Sequence, residues 1–551
     1  MPTEFLSKYI DPDFYLPIDY IFSEVILRRQ NASNSAILFV MTLFALARRG
    51  HLCMRIMEKD SLPALPVFSK KFYSLVQEGA KEITNSLITE YVKEMEFMNK
   101  PIIFYENHYY LQQNFIFEQI LIRHIHSLET YLCSPVAEKV IDDFLETSSL
   151  NTEQKIAIYR VFSSPISIIS GGPGRGKTYT ASMIARIFLS IYENKKVIVT
   201  APTGKATLRL QESMDIGNPR ITFSTLHSLL QIQPEKSVLE KRVLLGPNLI
   251  IVDEASMIDV RLFAKLMQST QAGTTVVFMG DENQLPPVEI GTVFSELCNY
   301  ARVTGRIGYT LLHQCMRTDL SHILQLSDAI QRGEPIDEYC IPWGSSNALD
   351  LLPNAFWKYA RYVAFNEDPL RSLHKLPEMQ ILSCLRRGSR GALFINQQII
   401  NRLLLREHKN KNICIPILIT KTSEHTNLIN GEMGILVQQG GEPTARDFAL
   451  FTKPDKKIVK ISRVMLPAYE EAFVISVHKS QGSEFNSVIV LIGEGSEKFG
   501  REIIYTAITR AKKDVTIIAD INSMRQCIQK TSNKYCRICD RLINVGSRSL
   551  S

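Results

Sequence analysis

The run Ser170-Gly171-Gly172-Pro173-Gly174-Arg175-Gly176-Lys177-Thr178 has the residue types and the spacing to hold a nucleoside triphosphate. It matches G-x-x-x-x-G-K-T, a loop whose glycines let backbone N–H groups close around phosphate oxygens. In such a loop Lys177 reaches the β- and γ-phosphates and the Thr178 hydroxyl takes Mg²⁺, so ATP and Mg²⁺ are the ligands expected. About 75 residues further on, Ile250-Ile251-Val252 runs directly into Asp253 and Glu254. Hydrolysis asks for one carboxylate in the metal shell and a second that orients and deprotonates water. Asp253 suits the first role, as a metal residue beside Thr178, and Glu254 the second. Gly280-Asp281-Glu282-Asn283-Gln284-Leu285 then offers Gln284 as a group that contacts the γ-phosphate and reports its loss. Charge spreading over that phosphate in the transition state calls for cations from across a cleft, and Arg317 and Arg510 are the candidates. Two arginines on a second domain would make cleft closure depend on the nucleotide, the basis of a motor.

The elements that must position these residues are legible around them. Ile166 to Ile169 reads as a strand before the loop and Thr180 to Ser190 as the helix after it, whose N-terminus adds positive potential. From Asn151 onward, short apolar runs alternate with helical stretches: Ile168–Ile169, Val197 to Val199, Leu249 to Val252 and Val276 to Met279. Each run ends in a polar, loop-like segment, as a parallel sheet presents its functional edge. A second α/β region starts near Leu311. Within it, Ile415 to Thr420, Gly434 to Gln438, Phe448 to Thr452 and Lys457 to Ile461 read as strands of a small β-barrel insertion. Its turns are marked by Asn430-Gly431 and Gly440-Gly441. The α/β pattern resumes at Ala472. Residues 1 to ~145 read as mostly helical, without a catalytic constellation, and suit a scaffold or docking role.

With 551 residues the chain forms more than one domain, since single cores rarely exceed ~250–300 residues. The net charge of +7 is unevenly placed. Residues 1–150 carry 14 Lys+Arg against 19 Asp+Glu, and the remainder 49 against 37. A basic body suits a polyanionic ligand and an acidic front suits a different partner, with ordinary surface variation as the alternative. Ten cysteines show no regular spacing, and Cys536-Arg537-Ile538-Cys539 is a lone C-x-x-C, weak support for a metal. No secretory pattern opens the chain, and Ala36 to Ala47 is shorter than the ~20 residues of a membrane span. A cytoplasmic protein with no membrane role is expected. The apolar Ala36–Ala47 stretch reads as a buried helix opened by Asn31, Ser33 and Asn34 and closed near Gly50.

Further motifs follow in a fixed order: Leu150-Asn151-Thr152-Glu153-Gln154, Ala201-Pro202-Thr203-Gly204-Lys205-Ala206, Thr225-Leu226-His227, Asp253-Glu254-Ala255-Ser256-Met257-Ile258-Asp259, Val477-His478-Lys479-Ser480-Gln481-Gly482-Ser483-Glu484-Phe485, and Tyr505-Thr506-Ala507-Ile508-Thr509-Arg510-Ala511. With these motifs, residues ~150–520 resemble superfamily-one helicases of the 5′-to-3′ branch, and within it the RecD-type alpha subunit of exodeoxyribonuclease V. Val288-Glu289-Ile290-Gly291-Thr292-Val293 and the pattern Arg48-Arg49-Gly50-His51-Leu52-Cys53 echo the subunit form, as does a short N-terminal region. Gln284-Leu285-Pro286-Pro287-Val288 is nearer to freestanding relatives.

The resemblance implies an α/β fold with two RecA-like motor domains built on parallel sheets, a small SH3-like β-barrel insertion in the second, and a mainly helical N-terminal domain. Its expected divisions are residues 1–145 for docking, 146–310 for the first motor domain, 311–411 and 466–530 for the second, 412–465 for the insertion and 531–551 for a tail. It implies an ATP-driven motor that moves 5′ to 3′ on single-stranded DNA and opens duplex DNA ahead of it, in double-strand break repair and recombination. Gln154 would read adenine, and Gly482 and Glu484 would link the nucleotide and DNA sites. Pro202, Thr203, Lys205, His227, His478 and Ser480 would hold backbone phosphates without reading sequence. Both histidines read alternatively as satisfied structural ones. Gln231 to Pro247 would form a hairpin that helps part the strands. The partners implied are RecB-type beta and RecC-type gamma subunits, with nuclease activity in the beta chain; a freestanding helicase is the alternative.

Overall fold

The computed structural model describes residues 14–27, 32–56, 70–90, 100–131, 138–146, 148–214, 217–232, 243–246, 248–314, 321–344, 347–405, 412–439, 444, 446–453, 456–532 and 534–548. Arg317, the Gly440-Gly441 turn and most of the expected hairpin between Gln231 and Pro247 lie outside them.

Among the described residues, three strands belong to the N-terminal region: β1 Ile88–Glu90, β2 Ile102–Tyr105 and β3 His108–Leu111. Six more follow: β4 Ile166–Ser170, β5 Val197–Ala201, β6 Ile221–Thr225, β7 Leu249–Val252, β8 Thr275–Gly280 and β9 Gly308–Leu311. These six make one sheet in the order β6-β5-β7-β8-β4-β9, with every pairing parallel. Helices cover both faces, so β4, β5 and β7 are buried along their whole length and read as unbroken apolar runs. The carboxyl ends of β4, β5, β7 and β8 meet at one edge, and the phosphate loop, the Pro202–Lys205 segment, Asp253-Glu254 and the Asp281–Gln284 loop follow them.

A second all-parallel sheet contains β10 Cys340–Pro342, β11 Met379–Ser383, β17 Val474–Ser476, β18 Phe485–Ile492 and β19 Ala511–Ala519, in the order β10-β19-β18-β11-β17. Between β11 and β17 the chain makes an antiparallel unit of β12 Ile413–Ile419, β13 Met433–Gln438, β14 Phe448–Thr452, β15 Ile458–Ser462 and β16 Tyr469–Glu471, ordered β15-β14-β13-β12-β16. Its strands curl around Ile417, Ile419, Leu428, Leu436, Ala449, Phe451 and Ile461. A Cβ on Gly434 would sit 2.5 Å from the Leu450 carbonyl oxygen and the Phe451 ring, so β13 and β14 come together only because that residue is glycine.

The N-terminal region is mainly helical. The apolar stretch after Ser33 is the helix Asn34–Arg48, and the Ser33 hydroxyl caps it by accepting from the Ala36 N–H at 3.2 Å. The sheet β1-β2-β3 was not anticipated by the helical reading. β2 and β3 form a hairpin whose two turn residues, Glu106 (φ 46°) and Asn107 (φ 63°), are both left-handed, the geometry of a type I′ turn. Without glycine after the asparagine, that turn carries a faint sequence signal.

This region and the chain's C-terminal end are both built into the first sheet's core. The helix Gln112–Glu129 packs on the helix Val260–Ser269, and Phe115, Leu121 and Ile125 share one cluster with Phe263, Phe278, Ile538 and Leu542. The segment expected to be a tail ends in the helix Ile538–Arg548, which lies against Gln112–Glu129 and Val293–Thr304. Its Arg541 pairs with Glu118, both buried, and stacks over the rings of Tyr105 and Phe115. Arg537 pairs with Glu106 at 2.9 Å. Leu52 N–H donates to the Tyr535 carbonyl, and the Lys534 ammonium donates to the carbonyls of Pro287, Val288 and Glu289. The two subunit-like segments therefore meet each other: Gly291 N–H donates to the Gly50 carbonyl at 2.9 Å. Among the described residues no helix is long and apolar enough to cross a membrane.

Candidate functional site

The loop after β4 turns through Gly174 (φ 73°) and Gly176 (φ 79°) into the helix Lys177–Ile191. Those left-handed positions are where a side chain would be strained, and they aim the helix N-terminus at the loop's own concavity. The Lys177 ammonium lies over this concavity and donates to the carbonyls of Gly171 and Gly172.

A cavity of about 330 Å³ opens beside the loop. Gly172 to Tyr179, Arg209, Asp253, Glu254 and Gln284 line it from the first sheet's side, and Gly482, Glu484 and Arg510 from the second's. The structure thus brings Lys177, Thr178, Asp253, Glu254, Gln284, Arg510, Gly482 and Glu484 to one place. Asp253 sits where β7 ends. Its carboxyl is raised to about 6, chiefly by burial and then by the neighbouring Glu254, while Lys177 opposes both. Glu254 is a non-glycine residue at φ 51°, a conformation that costs about 1–3 kcal/mol and turns its side chain into the cavity's wall. Thr178 and Asp253 present a hydroxyl and a carboxylate to the same space, the hard oxygen donors that suit Mg²⁺. Among the described residues no group of three or more His, Cys, Asp or Glu could hold a metal by itself. Cys536 lies in the core shared with the first sheet, and the Cys539 N–H donates to Glu296.

Contacts across the cleft join the two sheets. The Gln284 amide donates to the Asp281 carboxylate at 3.3 Å, and that same oxygen accepts the Tyr505 hydroxyl at 2.8 Å. The Leu285 N–H donates to the Thr506 hydroxyl at 2.9 Å. Arg510 is buried, with Nε donating to the Thr506 carbonyl and Nη1 to the Ser483 carbonyl. Asp281 and Tyr505 therefore support Gln284, a role that sequence reasoning missed; the signal was available only as neighbours of residues singled out for other reasons. Arg209 was missed entirely.

Other expected residues are placed differently. Gln154 is buried and caps its own helix Thr152–Ser163 in a reciprocal box with Asn151, while its amide donates to the Gly176 carbonyl at 3.4 Å. It braces the phosphate loop and does not line the cavity. Pro202, Thr203 and Lys205 follow β5, with the Thr203 hydroxyl capping the helix Gly204–Met214 through the Ala206 N–H. Burial and the nearby Arg209 bring the Lys205 ammonium down to about 8, against the pull of Glu432. Ile429 of the antiparallel unit lies 2.8 Å from where a Gly204 Cβ would be, so that unit seats directly on this segment. His227 is exposed beside the capping Thr225. His478 packs edge-on to Phe499, and burial together with Lys534 holds its pKa below the usual imidazole value. Ser480 is buried, and its hydroxyl donates to the Val477 carbonyl.

A family model described as an AAA domain matches residues 149–340, and one described as a UvrD-like helicase C-terminal domain matches residues 471–518. The RecD subunit of the RecBCD enzyme from Haemophilus influenzae is 29% identical over 484 residues, spanning 72% of this chain and 73% of that protein. The RecD subunit from Buchnera aphidicola subsp. Schizaphis graminum is 24% identical over 608 residues, spanning 94% and 98%. The ATP-dependent RecD2 DNA helicase of Deinococcus radiodurans is 27% identical over 402 residues, spanning 70% of this chain but 52% of that protein.

Proposed function

We propose, from its similarity to RecD subunits and to the AAA and UvrD-like helicase models, that the chain is a RecD-type superfamily-one helicase, an ATP-dependent 5′-to-3′ DNA helicase acting as the alpha subunit of an exodeoxyribonuclease V complex. The observation that carries the reading is one cavity lined from both parallel sheets, with Lys177, Thr178, Asp253, Glu254 and Gln284 on one side and Arg510 on the other. A nucleotide bound there changes the distance between the sheets, and a strand lying across both is moved by that change. Lys177 neutralises the β- and γ-phosphates. Glu254 orients the attacking water and takes its proton. Arg510 offers its guanidinium to the charge that develops on the γ-phosphate, and Arg317 is assigned the same task. Gln284, held by Asp281, reports the phosphate's loss to Tyr505 and Thr506. Thr178 and Asp253 would hold Mg²⁺, which supplies positive charge to the phosphates when bound.

The partner reading is supported by the similarity to RecD subunits and by surface. On the helix Pro17–Leu27, Ile18, Ile21, Phe22 and Val25 are exposed at the spacing of a single helical face. We assign that face to a gamma-type subunit, with nuclease activity in a beta-type subunit. The test is unwinding by the purified chain on duplexes with a 5′ or a 3′ single-stranded tail. Opening from the 5′ tail alone establishes the polarity and a self-sufficient motor. DNA-stimulated ATP hydrolysis without unwinding is the result expected of a subunit that needs its partners. ATP hydrolysis indifferent to DNA overturns the reading.

A further inference from the structure

Arg209 lies one helical turn after Lys205 on Gly204–Met214, the helix that begins at the expected strand-contacting segment. Its guanidinium lines the nucleotide cavity together with Lys177, Asp253 and Glu254. From there it reaches across the cleft and pairs with Glu484, whose carboxylate is almost buried (8% exposed) and also lies 3.4 Å from the Lys512 ammonium. Gly482 completes the joint. It takes φ 72°, and a Cβ on it would stand 3.7 Å from the Ala206 Cβ and 3.8 Å from the Thr203 hydroxyl. Thr203, Ala206 and Arg209, three residues apart, thus present one helical face to Gly482 and Glu484.

The positive charge of Arg209 disfavours the charged form of Lys205 one turn earlier on this helix. A phosphate backbone arriving at Thr203 and Lys205 neutralises the like charge beside Arg209. That removes a repulsion within the helix and leaves the guanidinium's attraction to Glu484 unopposed, which favours closure over the cavity.

We propose that Arg209 is a positioning residue that couples strand binding at Pro202–Lys205 to the nucleotide cavity, by tying the helix Gly204–Met214 to Glu484 of the second sheet. The proposal rests on the helicase reading. Coupling of this kind is reciprocal, so nucleotide and single-stranded DNA change each other's affinity by the same factor, commonly about 5–150-fold.

The experiment measures that factor in the full chain, as the ratio of Kd values for a labelled oligo-dT with and without AMP-PNP and Mg²⁺. DNA stimulation of ATP hydrolysis is followed in parallel. In Arg209→Ala the ratio falls to within about twofold of unity and stimulation drops about tenfold, whereas the exchange Arg209→Glu with Glu484→Arg recovers most of both, as a merely structural role would not. A wild-type ratio in Arg209→Ala overturns the proposal. So does an exchange variant that recovers nothing while each single variant loses coupling, because Arg209 then acts without Glu484. A wild-type chain whose ATP hydrolysis ignores oligo-dT overturns the helicase reading beneath it, and this inference with it.

Discussion

Two charged regions of this molecule are built in opposite ways. Where the C-terminal segment meets the N-terminal region, the charges are buried and matched. Arg541 is 5% exposed against a Glu118 that is fully buried, with two aromatic rings beneath the guanidinium. In the nucleotide cleft the cations have looser company. Lys177 rests on backbone carbonyls, and the partly exposed Arg209 pairs with a carboxylate belonging to the other sheet. A buried pair of the first kind cannot exchange partners without leaving an uncompensated charge in a medium that solvates it poorly. Lys177 can pass to a phosphate because what it leaves behind is two backbone carbonyls, and Arg209 holds a partner that moves with the other sheet. One arrangement holds the chain together and the other is free to act.

The contrast is sharpest if each region is cut at one residue. Arg541→Met leaves Glu118 buried and unpaired, which should cost about 3–5 kcal/mol of stability in urea unfolding. ATP hydrolysis by the fraction that stays folded should be little changed. Lys177→Ala is the mirror case: hydrolysis should fall about 10²–10³-fold, with a urea midpoint close to wild type. If Lys177→Ala unfolded the chain, or Arg541→Met abolished turnover without lowering stability, the division between holding and acting would be broken.

A smaller effect separates the regions by pH. His51 and His108, both beside the C-terminal segment, are pushed down to about 4, chiefly by burial and then, for His51, by Lys534 and Arg49. Unfolded imidazoles bind protons near pH 6.5, so the unfolded chain takes up more protons than the folded one below that pH. The contribution of these histidines is complete above about pH 6.5, is lost progressively as pH falls toward about 4, and changes no further below that. The thermal midpoint should decline through this window, and His51→Gln with His108→Gln should flatten the slope. An unchanged slope in that double variant would remove these histidines from the account.

What could be read in advance depended on how local the determinants are. The phosphate loop, Asp253-Glu254 and the strands β4, β5, β7 and β8 were legible because each is specified by contiguous residues: glycines where φ is positive, and unbroken apolar runs where both sheet faces are covered. Four strands of the antiparallel unit were legible for the related reason that turn residues separate them. The pair β2–β3 was not, since its turn uses Glu106 and Asn107 at positive φ with no glycine between strands of four residues. Nor was β16, three residues that become a strand only by pairing with β12.

The site divides along the same line. Sequence by itself determined that a triphosphate loop, a carboxylate pair and distant arginines exist in this chain, because their chemistry is written in residue type and short-range spacing. Only the tertiary structure decided that Gln154 faces the loop's back, that the Ser480 hydroxyl turns inward, that Asp281 steadies Gln284, and that Arg209 spans the cleft to Glu484. It also decided that the C-terminal segment clasps the N-terminal region, by way of Arg537 and Glu106, 431 positions apart. A backbone hydrogen-bond ring closes within a few residues and can be read from them. An ion pair between distant segments exists only after the intervening chain has packed, and no local pattern encodes the distance between two sheets.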